Sequence, residues 1–95
     1  MDKPIKFADQ ALEDTLDIYD HLEEFKEGLG MRFYEKLATI YDQIKRGNAS
    51  YQALDKDGHK RRAFLKLTKG LHYRIIYEIL AEYIEIQAVR STWRK

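Results

Sequence analysis

The sequence predicts an α+β fold: a short N-terminal strand, an antiparallel helical hairpin, and a three-stranded antiparallel meander. Three observations carry this reading. Apolar residues recur at three- and four-residue spacing from Ala11 to Ile44, the period of a helix with one buried face. From Arg61 to Tyr83 apolar and polar residues alternate, the period of a strand. Glycines fall near the places where one pattern stops and the next begins.

The opening stretch Pro4-Ile5-Lys6-Phe7 alternates over too few positions for more than a short strand, and Pro4, which has no N–H to donate, belongs at its start or on an edge. Asp9 is the expected N-cap of the first helix, with Glu13 and Asp14 near the positive end of its dipole. Its expected core stripe is Ala11, Leu12, Thr15, Leu16, Tyr19, Leu22 and Lys26, widened by Ile18 and Phe25; Asp17, Asp20, Glu23, Glu24 and Glu27 face away. Gly28-Leu29-Gly30 ends that helix. The second helix is expected from Met31 to Arg46, with Tyr34, Leu37, Ala38, Tyr41 and Ile44 inward, Phe33 and Ile40 flanking them, and Gly47-Asn48 closing it. Two such helices joined by a glycine turn form an antiparallel pair.

Asn48 to Gly58 loses all periodicity and reads as a connecting loop pinned by Tyr51 and Leu54. The first strand of the meander places Arg61, Ala63, Leu65 and Leu67 on one face and Arg62, Phe64 and Lys66 on the other. Thr68-Lys69-Gly70 is a hairpin turn signal. The next strand alternates Leu71, Tyr73, Ile75, Tyr77 and Ile79 with His72, Arg74, Ile76 and Glu78. After a tight turn at Ala81-Glu82, Tyr83 to Arg90 forms the last strand, where Ile84, Ile86 and Val89 break the alternation and call for a bulge near Gln87-Ala88. Packing the helices on the Ala63–Leu65–Tyr73–Ile75–Tyr77–Ile79 face leaves the face of Arg62, Phe64, Lys66, His72, Arg74, Ile76 and Glu78 uncovered, cationic and partly apolar.

Composition narrows the function. With 95 residues, 44% hydrophobic and 13% aromatic, the chain suits a single folded domain over residues 1–95 and is too rich in core residues for disorder. No apolar run is long enough to span a membrane, and the first residues lack the apolar core of a signal peptide. The absence of cysteine excludes a disulfide framework and thiolate metal sites and fits a cytoplasmic location. His21, His59 and His72 lack ligand spacing, so neither a metal nor another cofactor is expected, and His21 reads as a solvated helix residue. The net charge of +1 conceals a division: residues 1–47 carry seven Lys/Arg against eleven Asp/Glu, and residues 48–95 carry ten against five. Either the halves complement each other within the fold, or the second half meets an anionic partner.

The candidate binding residues are Arg61, Arg62, Phe64, Lys66, Arg74, Arg90, Trp93 and Arg94. Guanidinium forks match phosphate and carboxylate, and the interleaved aromatics offer stacking surfaces or a groove. Solvation and edge protection account for any one of these cations alone. Metal-free RNA cleavage needs a base, an acid and cations around the phosphate. Arg62, Lys66 and Arg74 fit the cationic role, and His72 or Glu78 the proton-handling one; no second group is an evident acid.

Element order and several strings resemble the RelE/ParE superfamily of bacterial toxin–antitoxin systems. The strings are Phe7-Ala8 with Ala11-Leu12 and Ile18-Tyr19, then Gly28-Leu29-Gly30-Met31-Arg32-Phe33, then Arg61-Arg62-Ala63-Phe64-Leu65-Lys66. They continue through Tyr73-Arg74-Ile75-Ile76-Tyr77-Glu78-Ile79 and Ile84-x-Ile86-x-x-Val89-x-Ser91-x-x-Arg94. The resemblance implies a small growth-inhibiting toxin, often serving plasmid stabilisation, held inactive by a cognate antitoxin whose C-terminal segment wraps it. RelE-like members cut mRNA in the ribosomal A site; ParE-like members poison DNA gyrase. The long hairpin and the Gly28–Phe33 string look more like the ParE side. Where many relatives carry Val-x-His-x-x-Arg, this chain has Val89-Arg90-Ser91-Thr92-Trp93-Arg94, and Ser91 cannot serve as an acid or base near neutral pH. A degenerate, non-toxic member that only binds an antitoxin is the third reading. Free toxin is expected to form homodimers through Phe64 and Ile76.

Overall fold

The computed structural model describes residues 3–47, 52 and 53, and 59–92. Strand β1 (Ile5–Phe7) leads into helices α1 (Asp9–Phe25) and α2 (Leu29–Arg46), followed by strands β2 (Gln52–Ala53), β3 (Lys60–Thr68), β4 (Leu71–Ile79) and β5 (Ile84–Ser91). The five strands form one sheet in the order β1-β5-β4-β3-β2. The meander is antiparallel throughout, whereas β1 runs parallel to β5 with Ile5 opposite Ile84. The N-terminal strand is therefore an edge strand, and Pro4 lies just ahead of it, its carbonyl accepting the Ile84 N–H at 2.9 Å.

Several expectations are corrected. Asp9 is the first residue of α1 and Ala8 is the N-cap, with no side-chain cap. The second helix begins at Leu29, two residues early, because Gly28 takes φ +89° and turns the chain directly into it. The segment read as a loop contains β2, whose Gln52 and Ala53 pair with Arg62 and Arg61; Tyr51 and Leu54 lie outside the described residues. The helix stripes are also narrower than expected: Leu12 and Leu16 of α1 are 49% and 57% exposed, Phe25 is exposed, Lys26 caps the helix end in solvent, and Ala38 of α2 is exposed.

The core lies between the hairpin and one face of the sheet. Phe33, Leu22 and Leu37 meet Ile75, Ile86 and Val89, all buried, and the Phe33 and Tyr73 rings lie 5.1 Å apart. The helices themselves approach closely at Gly30, where a Cβ would stand 2.8 Å from Tyr19 Cδ2 and 2.9 Å from Glu23 Cγ. Glu23, read from sequence as solvent-facing, instead caps α2: its carboxylate accepts the N–H groups of Gly28 and Gly30 at 3.2 and 2.8 Å. The β3–β4 hairpin closes through Lys69 and Gly70, the latter at φ +87°.

The bulge in β5 falls at Gln87, since Ile76 faces Ala88 while Tyr77 faces Ile86. α1 packs along β5, and Ala8 N–H donates to the Ile86 carbonyl at 2.9 Å. Just past the bulge, the Val89 N–H donates to the Asp14 carboxylate at 3.0 Å. This carboxylate supplies an acceptor to β5 beyond the reach of β1. No helix among the described residues is long and apolar enough to cross a membrane.

Candidate functional site

The open face of the sheet is organised in cross-strand rows. Lys66 stands opposite His72, Phe64 opposite Arg74, Arg62 opposite Ile76, and Lys60 opposite Glu78. On the other side of β4, Arg74 faces Arg90, Ile76 faces Ala88, and Glu78 faces Glu85. Each row lies roughly 6–7 Å from the next, two residues along the strand. The face is therefore polarised: cationic at the Lys66–His72 end, acidic at the Glu78–Glu85 end.

Phe64 is the apolar centre of the cationic half, 54% exposed, with the Arg62 guanidinium 5.4 Å above its ring. Two arginines directly opposite each other, Arg74 and Arg90, repel unless an anion comes between them. Arg90 is turned toward the sheet edge, its Nε 3.5 Å from the Asp14 carboxylate that also holds Val89. At the acidic end the Gln87 amide donates to Glu78 at 2.9 Å and to Glu85 at 3.1 Å, joining two carboxylates that would otherwise repel. Beside the cationic half, a groove of about 240 Å³ runs between α2 and β3, lined by Lys36, Thr39, Ile40, Phe64, Leu65 and Lys66.

The structure brings Arg62, Phe64, Lys66, His72 and Arg74 onto one surface. Arg61 occupies the opposite side of β3, in line with Ala63 and Leu65, and is half-buried. Glu78 stands on the open face but three rows from His72, roughly 20 Å along the strand, so the two cannot act on one phosphate. Ser91 ends β5 on the helix side, beside a cavity of about 290 Å³ lined also by Asp17, Ile18, His21 and Tyr73. Trp93 and Arg94 lie outside the described residues. Sequence reasoning missed Asp14, Gln87 and Lys36. Gln87 had a signal, the broken alternation that marks the bulge; the other two depend on which helix lies beside which strand. Among the described residues no group of three or more His, Asp or Glu gathers to hold a metal.

Two helices on one face of a sheet, with an open surface that is cationic at one end and acidic at the other, define a small α+β protein. The sequence matches the family described as ParE toxin of type II toxin-antitoxin system, parDE, over residues 5–95. The chain belongs to that family, within the RelE/ParE superfamily of toxins, and membership implies an antitoxin partner. No curated protein matches it. Among solved structures it is similar to the YoeB dimer from Staphylococcus aureus, at 18% identity and a TM-score of 0.46, covering 98% of this chain and 100% of that one.

Proposed function

We propose that this toxin inhibits DNA gyrase by docking, without catalytic residues of its own, and is neutralised by an antitoxin segment laid across the cationic half of the open face. The family match over residues 5–95 carries this reading, since ParE-like members are the gyrase poisons of the superfamily. Ser91 in place of the histidine found in many relatives supports it. The antitoxin segment enters the groove between α2 and β3, where Lys36 and Lys66 favour acidic residues and Ile40 and Phe64 favour apolar ones. Purified toxin is expected to block gyrase supercoiling or accumulate cleavage complexes, and addition of the antitoxin to reverse the effect. Unchanged supercoiling at saturating toxin overturns the reading.

A second reading is a ribosome-dependent mRNA endonuclease in which Arg62, Lys66 and Arg74 grip phosphate and His72, opposite Lys66, handles protons. The adjacency of the Lys66–His72 and Phe64–Arg74 rows favours it. It predicts codon-positioned cuts in a translation extract, and loss of about 2–4 kcal/mol of transition-state stabilisation when Lys66 or Arg74 is replaced by Ala. On either reading the chain acts as one domain in the cytoplasm and arrests growth when induced without its antitoxin.

A further inference from the structure

We propose that Asp14 is an internal competitor for the open face. By holding Arg90 at the sheet edge, its carboxylate sets how tightly Arg74 and Arg90 together grip an acidic residue of a docked protein segment. This rests on the reading that an acidic segment lies across the cationic half of that face, and it names what regulates the grip.

Arg74 and Arg90 stand directly opposite each other on β4 and β5. Residues so paired have Cα atoms about 4.5–5.5 Å apart, close enough for both guanidinium groups to reach one carboxylate. Their surroundings differ. Arg74 is half-buried opposite Phe64 and, among the described residues, has no carboxylate partner. Arg90 is exposed, and its Nε lies 3.5 Å from Asp14 Oδ2. The edge of β5 is open to α1 at this point, because β1 pairs only with Ile84–Ile86. Arg90 thus has two places for its charge: against Asp14, or back over the face beside Arg74. Without an anion the second place sets like charges side by side, so Asp14 prevails. An incoming carboxylate reverses the balance, since it satisfies both guanidinium forks at once.

Asp14 is built to stay while Arg90 leaves. Its side chain is only 12% exposed, Oδ2 also accepts the Val89 N–H at 3.0 Å, and Oδ1 accepts the Gln10 amide at 2.8 Å. These bonds fix the carboxylate whatever Arg90 does. The Arg90 side chain is 55% exposed, and an ion pair so wetted is weak, as suits a contact that must yield. The displacing group is assigned to protein and not to nucleic acid. Arg90 already accepts a carboxylate, and the adjoining groove, with Ile40 and Phe64, offers a peptide apolar contacts.

The test titrates hexaglutamate into the isotope-labelled full chain at low salt and follows the arginine Nε–H signals by NMR. In the wild type the Arg74 and Arg90 signals should move together, and the Asp14 carboxyl carbon should shift with the same midpoint as Arg90 leaves it. Asp14→Asn keeps an oxygen for the Val89 N–H and removes the charge. It should tighten binding about two- to five-fold, the range of an exposed ion pair. In an Arg90→Ala background the same substitution should change nothing, whereas a general loss of negative charge would still act. Asp17→Asn, exposed on the same helix, should leave affinity unchanged. Amide exchange at Val89 and circular-dichroism melts check that Asp14→Asn keeps the strand contact; if it unfolds, the wild-type carboxyl shift decides alone. Absence of tightening, tightening that persists without Arg90, or an unmoved Asp14 carboxyl overturns the proposal. Hexathymidylate binding with the same dependence on Asp14 overturns the assignment to protein. If hexaglutamate shifts no cation of the open face, the docking reading itself fails, and the competitor with it.

Discussion

The two faces of β3 and β4 come from the same alternating residues and do opposite work. Toward the helices, Ala63, Leu65, Tyr73, Ile75 and Tyr77 are buried; away from them, Phe64, Lys66 and His72 are exposed, and Arg62 and Arg74 are half-buried. One face holds the fold together, and the other is the surface proposed above to bind the antitoxin. A period of two separates stability from recognition along a single strand, so a substitution at one position should register in only one of the two.

The largest effect is expected on the covered face. Ile75→Ala, at a site with no exposure, should cost about 2–5 kcal/mol in urea unfolding. Gly30→Ala comes next, because its Cβ would press into Tyr19 and Glu23; a loss of about 1–3 kcal/mol in the same assay is expected. Asp14→Ala removes the acceptor of the Val89 N–H and should cost about 1–2 kcal/mol, with faster amide exchange at Val89. Phe64→Ala lies at the other extreme. Its stability change should stay within about 0.5 kcal/mol, while antitoxin binding by calorimetry falls sharply. A Phe64→Ala variant that unfolds early would break the division of labour outright.

A smaller effect sharpens the contrast at alkaline pH. Burial pushes the Tyr41 phenol well above its ordinary value of 10.0, and does the same more weakly for Tyr34, aided by Tyr19 and Asp20. The unfolded chain therefore releases these protons first, so their contribution is intact below pH 10 and declines as pH rises above it. Absorbance at 295 nm should show Tyr41 ionising only as the protein unfolds.

Much of this architecture could be read from residue order. The meander, its two faces and the bulge at Gln87 follow from alternation alone, because burial on a sheet is decided locally by parity. The helix faces were harder. Periodicity marks Leu12, Leu16 and Ala38 as apolar but cannot say that the sheet covers only the adjoining stripe, so positions predicted to be core emerged on the surface. The candidate site was legible as a set of cations and not as a geometry. Register alone sets Lys66 opposite His72, Phe64 opposite Arg74 and Arg74 opposite Arg90. Glu23 looked like a solvent-facing acid and Asp14 like one that only favours the helix dipole, because their backbone partners lie on a neighbouring element.

The parallel pairing of β1 with β5 has a consequence during synthesis. Ile5 to Phe7 emerge from the ribosome early, yet the neighbours they need, Ile84 to Ile86, are translated long after both helices. Closing so wide a loop is slow compared with forming the hairpin or the β3–β4 turn. A nascent chain released short of β5 has no strand beside β1 and no Val89 amide for Asp14 to hold. Completion of the sheet is thus a late step in folding, and a chain cut short of β5 should fail to fold.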